Sequence, residues 1–550
     1  MNLRLFAFLV AFGPALLAAP VSGEAVYQKR CAACHDSPGS RAPSRDSLKT
    51  RSVLSIQRTL DFGIMSNVAS PMRRDERDAV ASWLGVAGGS AAPPAKAFCA
   101  DRSVKITGKP SGWNGWSASP GNTRFQSADA AGLTMDGVRR LKLKWAYGFD
   151  GDAVTFAQPT VLDRQIFVGS ASGLVQALAM ETGCVKWVFQ AAGPVRSAIL
   201  AVPSGSAHVL LFGDQVGWFY ALDAETGRQL WKKRPEPHES TRLTGAPVAY
   251  QGTVYVPVSS WEENRTINPD YPCCAFRGSI VAYRISDGSQ LWKTYTIPEK
   301  PKVTGKNKAG VEQWGPSGGS VWGSPTLDAK RGLLYATTGD NFSLPSTPMS
   351  DSVLALELAT GRIVWAKQTT PGDVWTSGCG QRGDCPGPDH DYGSSVLLEK
   401  RDDGRDILLA GQKSGVVYGQ APELRMPGET LGDELHVLAG VILDQYRRRV
   451  PFLGKLLSES MQDPKVGALF YGTFIVQGRL LFTEFLGIRK EFGELRDDID
   501  VEAAAAMFLA ALTGILLMHE LFGGKQVETL DDDRVLRQMC DTFLHGIVRR

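Results

Sequence analysis

The sequence predicts a multidomain chain with a small all-α module, an all-β propeller and an all-α bundle at the C-terminal end. Three observations carry this. The stretch Ala221-Leu-Asp-Ala-Glu-Thr-Gly-Arg-Gln-Leu-Trp231 recurs in altered form at 177–187, 282–292 and 355–365. Each copy sets a small residue before a Thr-Gly or Asp-Gly turn signal, then an alternation ending in Trp, which is the pattern of strand, tight turn, strand. Runs such as 252–258 supply further strands between copies. Four-stranded sheets around an axis account for the spacing, whereas a sandwich would not need one Gly-to-Trp offset in every hairpin. Second, the 59 glycines concentrate before about residue 420, and the remainder is Leu- and Ala-rich. Third, a Cys-x-x-Cys-His signature stands near the start of the chain.

At 550 residues the chain is long enough for several domains. Sixty Lys and Arg against 57 Asp and Glu give a net charge of +3, too balanced to argue for a nucleic acid or an acidic substrate. Arg4, the apolar run 5–17 and the small residues Ala18, Ala19 and Gly23 read as a secretory signal over 1–23, too short and weakly flanked for a preferred membrane span. The nine cysteines suit the oxidising periplasm that such a signal implies. Residues 24–90 form the first module. Cys31-Ala-Ala-Cys34-His35 is a c-type haem attachment site, in which two thiols form thioethers and the histidine supplies an axial imidazole. Met65 is the favoured second axial ligand, because Met72 lies almost against the amphipathic segment 75–84 and reads as a surface or core methionine. A linker follows over 91–109, preceded by the Gly-rich start of 88–95 and stiffened by Pro93 and Pro94.

The β region spans 110–419, with 141–145 read as its first strand, ending at Trp145. Five segments carry chemistry. They are Gly318-Gly-Ser-Val-Trp-Gly-Ser-Pro-Thr-Leu-Asp328, the vicinal pair Cys273-Cys274 before Phe276-Arg-Gly-Ser-Ile-Val-Ala-Tyr283, Thr337-Thr-Gly-Asp-Asn341, Gly387-Pro-Asp-His-Asp391-Tyr-Gly-Ser-Ser395, and Ala410-Gly-Gln-Lys413-Ser-Gly-Val-Val-Tyr418. Together they resemble the pyrroloquinoline quinone (PQQ) dehydrogenases, closest to the polyvinyl alcohol dehydrogenase branch, whose members can carry a haem c module. The resemblance covers roughly 24–419. It implies that Trp322 is the flat floor under the quinone and that Cys273 and Cys274 bond to each other over the cofactor. It implies calcium ligands from Glu262 or Glu263, from Asp340 or Asn341, and from Asp391. Asp391 becomes the catalytic aspartate because an aromatic residue follows it, with Asp389 as the fallback. Lys413 would contact the quinone carbonyls, where a cation steadies developing oxyanions. Arg196 more weakly resembles a position at the cofactor rim. Cys379 and Cys385 bracket a loop short enough for a disulfide that would brace the Asp391 segment.

An eight-bladed ring at about 45–50 residues per blade needs about 400 residues, and only about 275 separate Trp145 from Gly419. The propeller is therefore expected to be incomplete. After 420 the chain turns helical, with apolar positions at three- and four-residue steps over 435–446, 467–485 and 501–522. Residues 503–518 are uncharged but short, which reads as a core helix and not a span. Residues 420–550 resemble the C-terminal ligand-binding and dimerisation domain of TetR-type regulators, most specifically at 493–500 and the Ala-rich helix after it. No helix-turn-helix head precedes it, so no DNA binding is implied, while a homodimer through these helices is. Exported propeller and regulator domain point to different compartments, and a join near 419–421 accounts for that. The expected activity is periplasmic oxidation of an alcohol, small or polymeric, by PQQ and calcium, with electrons leaving through haem c to an acceptor protein. The alternative is an inactive, truncated propeller fused to a helical dimerisation domain.

Overall fold

A tryptophan set at a fixed distance from a glycine fastens the β region together. The recurrent Ala and Trp of each repeat face one another across a hairpin: Ala177 with Trp187, Ala221 with Trp231, Ala282 with Trp292 and Ala355 with Trp365. The turn glycine between them has positive φ, 70° at Gly183, 71° at Gly227, 67° at Gly288 and 73° at Gly361, a region that L side chains avoid. The indole of the preceding repeat lies against it, so that a Cβ on Gly227 would stand 2.6 Å from the Trp187 ring. The same indoles donate to the next turn: Trp187 Nε1 to Ala224 O at 3.2 Å, Trp231 to Ile285 O at 2.8 Å and Trp292 to Leu358 O at 3.1 Å. Each sheet is thereby tied to its successor.

This computed structural model describes residues 21–61, 63–69, 71–87, 93–106, 113–149, 152, 154–380, 385–402, 404–422, 431–447, 450–491, 495–527 and 531–548. Of the expected secretory signal, 1–20 lie outside the described residues, as do 88–92 of the Gly-rich segment and 493–494 of the regulator-like motif. The chain divides into two units, Met1–Leu424 and Arg425–Arg550.

In the first unit the strands make antiparallel blades in chain order. Blade 1 holds Thr160–Leu162, Gln165–Gly169, Leu174–Ala179 and Val185–Gln190; blade 2 holds Leu200–Ser204, Ala207–Gly213, Phe219–Asp223 and Gln229–Lys233. Blade 3 runs from Val248–Tyr250 through Thr253–Ser260 and Ser279–Arg284 to Gln290–Tyr295, with Thr241–Arg242 added at its side. Blade 4 holds Thr326–Asp328, Leu333–Thr337, Ser352–Glu357 and Ile363–Gln368, and blade 5 has three strands, Leu397–Lys400, Asp406–Gly411 and Val417–Gln420. The apolar core lies between consecutive blades: Phe212 and Phe167 between 1 and 2, Phe219 and Val256 between 2 and 3, Leu334 and Ile280 between 3 and 4, Tyr335 and Leu408 between 4 and 5. These rings and aliphatic side chains are nearly all withdrawn from water, which is the main stabilising term of such stacking.

Two expectations fail here. Residues 141–145 pair with no strand among the described residues, and Leu141 and Leu143 are exposed. Trp145 nevertheless docks like its successors, donating to Met180 O at 3.0 Å against Gly183. The stretch is thus shaped as the outer strand of a blade whose inner strands are not beside it. The expected linker 91–109 is not loose throughout: Cys99 is disulfide-bonded to Cys184, and Phe98 bridges Val185 of blade 1.

Among the described residues of 21–87, six helices occupy Gly23–Arg30 (α1), Ala32–His35 (α2), Arg45–Leu48 (α3), Val53–Asp61 (α4), Ser66–Ala69 (α5) and Arg74–Leu84 (α6). Helix α1 crosses α6 at Gly23, where a Cβ would meet Ala79 O at 2.2 Å, and Tyr27 rests on Trp83 with ring centroids 5.2 Å apart. Arg58 of α4 reaches the propeller, donating to Ala191 O at 3.2 Å. Beside it runs a cleft of about 620 Å³ lined by Met72 from the helices and by Arg242, Trp261 and Tyr271 from blade 3.

The second unit is helical, with Leu431–Arg447, Val450–Gln462, Pro464–Phe470, Val476–Glu491, Val501–Leu516, Gly524–Val527 and Asp532–Ile547. π-type turns at Tyr471–Ile475 and Leu517–Leu521 carry the chain on from the third and fifth of these. Its core stacks Phe482 on Phe508 at 4.6 Å and Phe508 on Phe543 at 4.9 Å. Val501–Leu521 is long and apolar enough to cross a membrane by composition alone. Within the unit it buries Ala504, Ala505, Phe508, Leu512 and Leu516 along one face.

Candidate active site

The lower edges of blades 4 and 5 bring the sequence candidates Trp322, Asp391 and Lys413 into one place. Trp322 stands on the loop that enters blade 4, with its backbone oxygen held by Thr244 Oγ1 at 3.2 Å. Its Nε1 donates to Asp391 Oδ2 at 3.0 Å. Gly393 makes room for the ring, since a Cβ there would lie 2.7 Å from Trp322 Cη2, and a Cβ on Gly339 would press on Asp391 Oδ2 at 3.1 Å. Lys413 sits at the tip of the last hairpin of blade 5. Its backbone N–H donates to Asp391 O at 3.1 Å, and its Nζ lies 2.6 Å from both Asp391 Oδ1 and Asp389 Oδ1. Burial pulls the ammonium down, but Asp391 and Asp389 outweigh burial and hold it above its ordinary value. Burial drives the Asp391 carboxyl up, and Lys413 works against that rise.

Three further carboxylates gather behind them. Oxygens of Asp340, Asp389 and Asp391 lie within 4.8 Å of one another, and so do oxygens of Asp340, Asp351 and Asp373. Asp340 belongs to both groups; burial, then repulsion from Asp391, Asp351 and Asp373, pushes it up to about 10. Asp351 is pushed up to about 7, again chiefly by burial. Asp373 steadies the Asp391 loop, accepting from Asp389 N at 3.3 Å and His390 N at 2.9 Å. Between Asp340 and Asn341, the first joins the acidic cluster. The Asn341 amide is spent on Ser350 Oγ at 2.5 Å and on Thr347, whose N–H and hydroxyl it accepts at 3.2 and 2.9 Å. Neither Asp351 nor Asp373 announces itself in the sequence, where each looks like turn chemistry.

Glu262 and Glu263 lie elsewhere, on the short helix Glu262–Arg265. The Glu262 carboxylate accepts from Phe276 N at 2.8 Å, Ala275 N at 2.9 Å and Tyr271 Oη at 3.1 Å, with His238 Nε2 at 3.4 Å. Although burial opposes it, His238 and these N–H groups hold its carboxyl below the usual range. Glu262 thus braces the turn after the vicinal cysteines. Glu263 accepts from Asn264 Nδ2 at 3.0 Å, and burial pushes it up to about 8. Cys273 and Cys274 are bonded to each other and buried beside Phe276 and Phe342, and Cys379 is bonded to Cys385. Arg196 lies over the Phe156 ring at 5.1 Å, and burial lowers its guanidinium.

In the helical module Cys31 and Cys34 are free thiols at the α1–α2 junction. His35 Nδ1 is 2.7 Å from Pro43 O, a contact that makes Nδ1 the donor and leaves Nε2 open to a metal. Met65 packs half-buried against the cluster that also meets Cys31, whereas Met72 is buried within that cluster.

Residues 236–379 match the family described as glucose/ethanol/alcohol dehydrogenase, beta-propeller domain, and 100–307 match that of outer membrane protein assembly factor BamB. Residues 453–546 match the AefR-like transcriptional repressor, C-terminal domain. The chain is 39% identical over 426 residues to a polyvinylalcohol dehydrogenase of a Pseudomonas species, an alignment covering 73% of this chain and 66% of that protein. It is 36% identical over 438 residues to the polyvinylalcohol dehydrogenase of Sphingopyxis sp. strain 113P3, covering 74% and 66%. The solved quinohemoprotein alcohol dehydrogenase ADHIIG from Pseudomonas putida HK5 aligns at 23% identity with a TM-score of 0.45, over 58% of this chain and 49% of that one. The chain therefore spans 66% of the length of each of the two polyvinylalcohol dehydrogenases.

Proposed function

The propeller of this chain is a relative of the polyvinylalcohol dehydrogenases, and from that premise we propose that it oxidises an alcohol to a carbonyl in the periplasm and delivers the electrons to a haem c on its own N-terminal helices. The observation that carries this reading is Asp391, held between the Trp322 indole at 3.0 Å and the Lys413 ammonium at 2.6 Å. The residues fit the cofactors the reading needs. Trp322 offers a half-buried flat face cleared by Gly393, and Asp340, Asp389 and Asp391 form a hard oxygen cluster suited to calcium. When bound, PQQ would supply the two-electron acceptor and calcium the Lewis acid.

The chain's own residues do the rest. Trp322 Nε1 donates to Asp391 Oδ2 and the Lys413 ammonium stands at Oδ1, so the carboxylate takes the proton of the substrate hydroxyl on a lone pair that neither of them covers. Lys413 opposes the rise that burial imposes on that carboxyl and presents positive charge where negative charge would gather on reduction. Asp373 fixes the backbone of the Asp391 loop through Asp389 N and His390 N. The brace from Glu262 to Ala275 and Phe276 sets the position of the vicinal cysteines, assigned as the cover of the cofactor. Cys31 and Cys34 would hold a haem covalently, His35 and Met65 would be the residues that hold its iron, and a partner protein would be the next acceptor. A small and a polymeric alcohol make the same demands on Asp391. The C-terminal helices are assigned to homodimerisation.

A second reading has its own observation. Trp365 Nε1 is buried with no partner among the described residues, where its counterparts in blades 2 and 3 grip the next blade. This favours a propeller that lacks the blades after 420 and does not close around PQQ. One titration separates the two. Protein loaded with PQQ and calcium should bleach the oxidised band of its own haem when alcohol is added. Tight PQQ binding with a haem that stays oxidised overturns the enzyme reading. No PQQ binding supports the second, and replacing residues 420–550 with the corresponding blades of a relative should then restore it.

A further inference from the structure

Behind the Asp391 group lies an inner set of carboxylates that the alcohol chemistry does not use. Asp340, Asp351 and Asp373 lie on separate loops that lead from or into strands of blade 4, and one oxygen of each approaches the others within 4.8 Å. Asp351 and Asp373 are 0% exposed and Asp340 4%. Among the described residues none of the three forms an ion pair, because the nearest ammonium, Lys413, is committed to Asp389 and Asp391. Both oxygens of Asp351 and Oδ1 of Asp340 lack a well-formed hydrogen bond, although Ser350 and Asp340 stand close enough to pull the Asp351 carboxyl down against burial. Ser350 beside them turns its hydroxyl to Thr347 O at 3.3 Å. A buried polar atom without a partner is costly, more so when charged, and one oxygen from each of the three carboxylates lies within 4.8 Å of the other two. A proton shared between two of them leaves the third carboxylate unserved, whereas a cation serves all three at once.

We propose that Asp340, Asp351 and Asp373 form a second, buried site for a hard divalent cation of the calcium class, joined through Asp340 to the group at Asp391. Oxygen-only donors, three carboxylates and freedom from nitrogen or sulfur ligands select such an ion over zinc or copper. Asp373 then has two tasks, since the oxygens that face the inner ion also receive Asp389 N and His390 N. The inner ion would thus steady the loop that presents Asp391. Asp351 has φ of 50°, a conformation that positions its carboxylate inward and that Asp and Asn tolerate better than most residues.

The proposal adds to the function above and rests on it only for the occupant of the outer group. Calcium bound per chain is counted by equilibrium dialysis on full-length protein stripped with chelator, in the absence of PQQ and alcohol. Wild type should bind one ion more than Asp351→Asn, a variant chosen because Asn keeps the left-handed backbone. Equal counts in the two proteins overturn the site and leave protons shared among the carboxyls. A measurement on wild type alone guards against a variant that fails to fold. Terbium substituted for calcium should show, from luminescence lifetimes in light and heavy water, one class of ion carrying almost no bound water. A single well-hydrated class overturns the site equally. A protein that never oxidises an alcohol can pass both tests, and an active enzyme with one ion fails them.

Discussion

Blades 1 to 3 and blade 4 solve the same problem with different success. Trp187, Trp231 and Trp292 each close on a glycine turn of the following blade and donate to its backbone. Trp365 of blade 4 should close on a turn of blade 5 after its third strand, yet its Nε1 is buried without a partner among the described residues. Among the described residues blade 5 has three strands where its predecessors have four or five. The proposed chemistry, however, sits at that end, with Lys413 on the blade 5 hairpin and Asp391 on the loop that enters it. The fasteners and the reactive groups are thus separable, and substitutions at each should have separate signatures.

The largest effect is expected where chemistry is removed without touching a fastener. Asp391→Asn should lower alcohol-dependent haem reduction by about 1,000-fold while leaving thermal unfolding near that of wild type, because Lys413 keeps Asp389. A matching loss of thermal stability would show that site and scaffold are not separable. Next comes a fastener in the interlocked region. Gly288→Val puts a Cβ 2.8 Å from Trp231 at a φ of 67°, whereas Gly252→Ala has a similar φ of 78° and nothing within 4 Å. Denaturant unfolding should show a loss of about 3–4 kcal/mol for the first and about 1 kcal/mol for the second. Similar losses would mean that the indole contact matters little.

Smaller again is the indole hydrogen bond itself. Trp231→Phe should cost about 2 kcal/mol, from a lost hydrogen bond and a small cavity. Trp365→Phe should be close to neutral, since the cavity is offset by removal of an unpartnered donor. Equal costs would erase the contrast between the two ends. The smallest effect per step concerns blade 3. Glu263 rises from 4.5 to about 8 on burial, so between these values the native state holds a proton that the unfolded chain has lost. Stability then falls as pH rises through that window, by about 1 kcal/mol per pH unit. Glu263→Gln should flatten the slope in unfolding curves taken from pH 5 to 8.

What the sequence shows plainly is what is local. The alanine, the turn glycine and the tryptophan lie within eleven residues of one another, so the blade hairpins at 177–187, 221–231, 282–292 and 355–365 could be read directly. The helices around 435–446, 467–485 and 501–522 were visible for the same reason, as each carries its own apolar face. Residues 141–145 read as a strand because alternation is local, but a ladder needs a neighbour, and none of the described strands lies beside it. The acidic cluster was legible only where a motif framed it, at Asp340, Asp389 and Asp391. Asp351 and Asp373 reach the same spot from separate loops, and spacing along a chain holds no record of that convergence. Glu262 shows a further limit, because a carboxylate that accepts from backbone N–H groups, as it does from Ala275 and Phe276, and one that binds a metal are identical in sequence. The bond between Cys99 and Cys184, 85 residues apart, could not be paired from spacing either.

The indole fastening also has a direction in time. Every docked tryptophan finds its glycine turn later in the chain, Trp145 at Gly183, Trp187 at Gly227, Trp231 at Gly288 and Trp292 at Gly361. A chain that folds from its N-terminal side can therefore complete one blade each time the next hairpin arrives, without waiting for distant partners, and such short-range steps are kinetically easy. The hand-over runs without interruption as far as Trp365. What arrives after blade 5 is a helical segment with its own aromatic core, so the last waiting indole is the point at which this relay stops.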